Sequence, residues 1–236
     1  MKSFYLIKPA ILILFVLILA NLPLQAQQTK NVAVSNFSEV SVSAGISLLL
    51  TQGATESAKI VAEEGVIDEV ELVKNGSRLS VKWKENFGFK WKNRNATVYI
   101  TYKKLNALKA SSGSSLKTQN QLSTDKLDVD VSSGASVNAQ ISCADLNLET
   151  SSGSSAKLTG KETNLMLHSS SGSTVNTKEL ATEYAKIESS SGADVAVNVT
   201  KALETTSSSG SSIRYKGNAA LKNNSSSRSS SVSRID

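Results

Sequence analysis

The sequence predicts an all-β fold: a parallel β-helix, or solenoid, with coils of about 20 residues and a β-rich N-terminal cap. Three observations carry this reading. The phrase Ser-Ser-Gly returns six times, at Gly113, Gly134, Gly153, Gly172, Gly192 and Gly210, in steps of 21, 19, 19, 20 and 18 residues. With each glycine numbered zero, the apolar residues keep one parity. Position −5 reads Leu108, Val129, Leu148, Leu167, Ile187, Thr205, and position +3 reads Leu116, Val137, Ala156, Val175, Val195, Ile213. That is period two, the spacing of strands with one buried face. Finally, Ser, Ala and Thr fill most of positions −3 and +1, and aromatic residues are only 5% of the chain, so the interior must be narrow.

Copies of one strand always arrive from the same direction, so the ladders between coils are parallel. Positions −2 and −1 are serine in all six copies. One serine column is expected to face in and satisfy backbone groups at the bend, the other to face out. No base stands at a fixed offset from any of these serines. They read as turn residues and not as nucleophiles.

Residues 1–26 read as a secretory signal peptide. Lys2 and Lys8 form a positive start, Ile11 to Ala20 an apolar run, and Leu24-Gln25-Ala26 a cleavage site. The run is too short for a comfortable membrane span, and no second one follows, so no transmembrane segment is expected in the mature chain. Residues 27–105 form the β-rich cap. Val32-Ala33-Val34 and Val40-Ser41-Val42 alternate, and Ile46 to Leu50 is a continuous apolar strand. Asn75-Gly76 is a hairpin signal. As a two-residue turn it sets Leu72 opposite Leu79 and Val70 opposite Val81. Val98 to Tyr102 leads into the first repeat. Residues 106–236 form the solenoid, continuous with the cap. Its last copy, Ser225 to Ser231, carries Arg228 in place of glycine, with Val232 and Ile235 closing the core.

The functional residues are few. Cys143 is the single cysteine, so no intramolecular disulfide forms. No His or basic neighbour activates it, and it reads as a small buried residue. No phosphate loop, dinucleotide fingerprint or zinc spacing occurs, so no cofactor and no metal are expected. The net charge of +6 is modest, and with export it argues against nucleic acid.

Two stretches are candidate sites. The segment from Lys82 to Arg94 holds Lys82, Trp83, Lys84, Phe89, Lys90, Trp91 and Lys92. Aromatic faces stack on sugar rings, and lysines attract anionic groups. The bland alternative is a hairpin with the tryptophans packed on the cap and the lysines solvated. The second stretch is an outward column at position −4: Asp130, Glu149, His168 and Glu188. Paired carboxylates do general acid–base work or hold calcium. Here Met166 and Lys186 interrupt the neighbouring row, and His168 is the only histidine, so the column reads mainly as a solvated face.

The run Phe37-Ser38-Glu39-Val40-Ser41-Val42-Ser43-Ala44-Gly45-Ile46-Ser47-Leu48-Leu49-Leu50-Thr51-Gln52-Gly53, then the Asn-Gly hairpin and the serial Ser-Ser-Gly coils, resembles the autotransporter-adhesin "head GIN domain" family, exported proteins of Bacteroidetes-type bacteria whose function is unknown. The resemblance covers essentially the whole mature chain. It implies a right-handed β-helix and supplies no catalytic residues.

The function expected is that of an exported, non-enzymatic binding or adhesion protein of the periplasm, cell surface or exterior. Its ligand would be a glycan or anionic envelope polymer, with a protein partner as a further option. The alternatives are a carbohydrate-active enzyme using the acidic column and a purely structural spacer.

Overall fold

The computed structural model describes residues 27–85, 95–225, 227 and 229–235. The signal-peptide segment, together with Phe89, Lys90, Trp91 and Lys92, lies outside them. In chain order the strands are β1 (Gln27–Val32), β2 (Glu39–Val42), β3 (Ser47–Gln52), β4 (Ser57–Glu63), β5 (Val70–Asn75), β6 (Arg78–Trp83), β7 (Ala96–Tyr102), β8 (Ala107–Ala110), β9 (Ser115–Thr118) and β10 (Leu122–Ser123). They continue as β11 (Lys126–Val131), β12 (Ser136–Ser142), β13 (Asp145–Thr150), β14 (Ser155–Ser169), β15 (Thr174–Ser189), β16 (Asp194–Ser207), β17 (Ser212–Lys216), β18 (Ala220–Asn223) and β19 (Ser231–Arg234). One 3-10 turn, Ile67–Glu69, is the only helical element among the described residues.

The strands wind into a parallel β-solenoid. Strands before each Ser-Ser-Gly turn stack as one face, here face A: β2 on β8, β8 on β11, β11 on β13, then the second halves of β14, β15 and β16, and last β18. Strands after the turn stack as face B: β3, β9, β12, the first halves of β14, β15 and β16, then β17 and β19. The interior holds the residues that period two marked. Leu108, Val129, Leu148, Leu167 and Ile187 line face A from within, and Leu116, Val137, Val175, Val195 and Ile213 line face B, each at most 2% exposed.

The turns explain the phrase. The −1 serines lie at φ from 51° to 53°, or 55° at Ser171, and the glycines after them at φ from 68° to 75°. The N–H of position +1 donates to the −2 carbonyl, as Ser154 to Ser151 at 3.2 Å. Two successive left-handed residues closed by this bond match a type I′ reversal, whose second position suits glycine. Turns also bond to turns: the Gly153 N–H donates to the Ser171 carbonyl at 3.0 Å.

The inward hydroxyls are not those expected. The −2 serines are half-buried and the −1 serines exposed. Capping falls to the buried serines at +1. Ser154 Oγ accepts from the Ser151 N–H at 3.2 Å and donates to the Val131 carbonyl, one coil away, at 2.7 Å. The left-handed pair turns both serines outward, and the next side chain is the first to point back in.

The N-terminal part holds a coil of the same kind. Ala44 and Gly45 have φ 59° and 78°, so β2–Ala44-Gly45–β3 repeats the unit 68 residues before Gly113. The chain then leaves the stack and returns beneath it, with β6 parallel to β2 and β7 parallel to β3. Antiparallel strands flank this end: β5 beside β6, β4 beside β7, and β1 beside β4.

Two expected registers are corrected. Asn75 pairs with Arg78, so the hairpin loop is Gly76-Ser77, and Leu72 lies opposite Val81 and Val70 opposite Trp83. Gly76, at φ 61°, takes the first loop position, where Asn75 would have stood. In the last coil Ser231 pairs with Ser212. That is a step of 19 residues on face B, where the recurring phrase implied 18.

Candidate functional site

Face A presents an unbroken outward column through eight strands. In ladder order it reads Ser80, Ser41, Lys109, Asp130, Glu149, His168, Glu188, Thr206. Each step between neighbours is about 4.8 Å, the strand spacing. The structure thus brings together all four residues expected at −4. It adds Lys109, which the same rule applied to the first copy would have found. Beside this column runs a second one of half-buried −2 serines, Ser111, Ser132, Ser151, Ser170, Ser190 and Ser208.

Between the two columns the surface is concave. A trough of about 390 Å³ is lined by Asp130, Glu149, His168, Glu188 and the serines at 151, 170, 190 and 208. A second, of about 370 Å³, lies on the other side of the acidic column, with Lys109, Asp130 and Glu149 on one flank and Glu39, Asp128 and Asn147 on the other. The depression follows from residue size, because short serines flank longer acids across one strand.

Charge along the column is largely paired. Lys109 Nζ lies 2.7 Å from the Asp130 carboxylate, Glu188 takes His168 Nδ1 at 3.3 Å and Lys186 at 3.2 Å, and Arg78 meets Glu39 at 3.0 Å. Glu149 carries no ion pair among the described residues. These groups are about half exposed, so each pair contributes at most about 1 kcal/mol to stability. No group of three or more His, Cys, Asp or Glu side chains among the described residues is placed to hold a metal ion.

The aromatic–basic segment begins at the solenoid edge. Trp83 is half-buried, packs against the core, and donates its indole N–H to the Ala44 carbonyl at 2.8 Å. It therefore bridges the first coil to the one beneath. Lys82 lies 3.3 Å from Glu71 and 3.4 Å from Glu85, and these carboxylates hold its ammonium above the usual range. Lys84 is exposed. In ladder order Lys82 falls in line with Ser43 and the −2 serines, because the Ser43 N–H donates to the Val81 carbonyl. Ser43, Ser111 and Ser132 separate it from Ser151, where the first trough begins.

Cys143 is half-buried, and burial, with the Glu162 and Asp145 carboxylates, pushes its thiol up to about 12. Sequence reasoning passed over its neighbour Glu162. That side chain is 4% exposed inside the solenoid. It sits at the bend where face B returns to face A, outside the positions that the repeat phrase marks.

Fold and surface together define a class: a β-solenoid scaffold that displays ordered columns of side chains along an open trough. The chain belongs to the family described as "Putative auto-transporter adhesin, head GIN domain", whose profile matches residues 36–219. It is similar in structure to a "putative adhesin" of Bacteroides fragilis, with TM-score 0.78 at 19% identity over 90% of this chain and 99% of that one. A "putative adhesin" of Parabacteroides merdae gives 0.69 at 16% identity, over 89% and 96%. A "Putative lipid binding protein" of Parabacteroides distasonis gives 0.67 at 14%, over 89% and 97%. At these identities the likeness shows the fold alone. No curated protein matches the chain.

Proposed function

We propose that the chain is an exported adhesion-type binding protein that holds a linear, uncharged glycan along the face A trough. The observation that supports this most directly is the pair of parallel columns. One offers carboxylates and an imidazole, the other hydroxyls, at a step of about 4.8 Å. Sugar hydroxyls donate to carboxylates and exchange hydrogen bonds with serine hydroxyls, and a polymer repeats those groups along its length. An anionic polymer would meet repulsion from Asp130, Glu149 and Glu188 and would have to seat on the lysines instead.

The test is retention of residues 27–236 on immobilised neutral and acidic polysaccharides at low and moderate salt. Specific retention on a neutral polymer that survives moderate salt, and falls at least about tenfold in Glu149→Gln/Glu188→Gln, supports the reading. Equal retention by parent and variant, or binding lost with salt, refutes the trough as the site.

A further inference from the structure

Glu162 is a buried carboxyl group beside which, among the described residues, the fold places no cation. It is buried in β14, with Leu165 buried three residues on and Leu180 buried in the coil above, opposite Gly160. In the ladder it pairs with Thr182 of the coil above. Both Glu162 carboxylate oxygens and the Thr182 hydroxyl are fully buried, close to each other but without hydrogen-bond geometry between them, so the hydroxyl offsets the burial only in part. From the coil beneath, the Cys143 thiol and the Asp145 carboxylate face it, and neither is a cation. Asp145 itself accepts from Asn164 Nδ2 at 2.8 Å. From above, Glu183 and Lys201 pair with each other at 2.7 Å and are about half exposed. Lys161, next to it in sequence, is exposed. Burial pushes the Glu162 carboxyl up to about 7; the Thr182 hydroxyl offsets part of this, and the charge of Asp145 adds to it.

The backbone around the same bend is irregular. The β14–β15 register slips between Lys157 and Thr159, and the β15–β16 register slips on both sides of Thr182. Elsewhere the strands of face A stack without a slip, as β11 on β13 through six successive pairs. An interrupted ladder has fewer bonds to break on opening.

We propose that this bend is a proton-dependent latch, closed over Glu162 while the side chain holds its proton and opening locally as that proton is lost to solvent. The open form exposes the carboxylate to water and returns it to the ordinary range of 4.5. Opening is then linked to release of one proton. Its equilibrium constant rises about tenfold per pH unit between 4.5 and about 7 and levels off above, where the closed form is ionised too. The latch does not depend on the adhesion reading and stands if that fails. It does reach the trough, because β14 carries Glu162 at the bend and His168 on face A.

Hydrogen exchange followed by mass spectrometry tests this on residues 27–236, across that pH range and corrected for intrinsic exchange. Protection in segments 160–163, 181–184 and 199–202 should fall about tenfold per unit and then flatten, while segment 127–131 stays constant. Glu162→Gln should remove the dependence at the bend. A flat profile at the bend in the parent chain overturns the latch, as does a pH response retained in Glu162→Gln. Loss of protection that is equal in all coils also overturns it, and this last readout needs no variant.

Discussion

Two glycines given the same substitution should behave very differently. Gly153 occupies a Ser-Ser-Gly turn at φ 68°, and a Cβ built there meets nothing within 4 Å. Gly153→Ala therefore costs only the left-handed conformation, about 1–2 kcal/mol. Gly160 lies at φ 114° inside β14, directly paired with Ile141. A Cβ there falls 2.0 Å from the Ile141 carbonyl oxygen and 3.1 Å from its carbon. No flexible side chain can yield, because both atoms are backbone. The coils must part at that rung, and Gly160→Ala should cost more than about 4 kcal/mol, in the tail of single-substitution effects. Equilibrium urea unfolding of the parent chain and both variants measures this. In a domain of this size, the mild variant should lose about 2–8 °C in Tm and the severe one well over about 8 °C. Gly153→Asn should recover most of the mild loss, since Asn tolerates the left-handed region. If the two alanine variants agree within about 0.5 kcal/mol, the close approach at Gly160 is not what holds that bend together.

Further predictions concern the bend. Because Glu162 is raised from 4.5 to about 7, the folded chain binds an extra proton in that window, and global stability should fall as pH rises through it. The full loss is about 3 kcal/mol, read from urea unfolding at fixed pH values, and Glu162→Gln should flatten it. Cys143, with its thiol pushed up to about 12, should react with a thiol reagent at neutral pH far more slowly than in the urea-unfolded chain. Equal rates would mean that the sulfur is neither desolvated nor shielded.

What could be read in the sequence was what repeats at period two. Leu148 and Val137 announced their burial because their neighbours two residues away are apolar too, and the same parity placed Asp130, Glu149, His168 and Glu188 in one line. What escaped reading depends on partners distant in sequence. The Ala44-Gly45 turn belongs to the same series as Gly113, but the intervening strands β4 to β7 break the period. The serines at +1 do the capping that was assigned to −2 and −1, because the effect of two left-handed residues on side-chain direction has no signature in composition. The hairpin at Gly76 and the last coil each slid along the chain from the expected register, since a turn phrase marks a neighbourhood and the ladder decides the rung. Trp83 drew attention as a ligand platform, and its hydrogen bond to Ala44 depends on β6 returning beneath β2. Glu162 was invisible for a simpler reason: a lone acid between a lysine and a threonine looks like surface.

The crossed order at the N-terminal end separates two kinds of sequence within one molecule. From β8 onward each coil touches mainly the coil before and after it, so the stack can gain or lose whole coils and remain closed. Each such change would lengthen or shorten the trough by one rung, about 4.8 Å. The end formed by β1 to β7 has no such freedom. There β2 and β3 lie between strands that come later in the chain on both sides, and neither rung can be removed without uncovering the other. Length is thus a quantity that descent can adjust in steps at one end of this protein, while the other end is inherited whole.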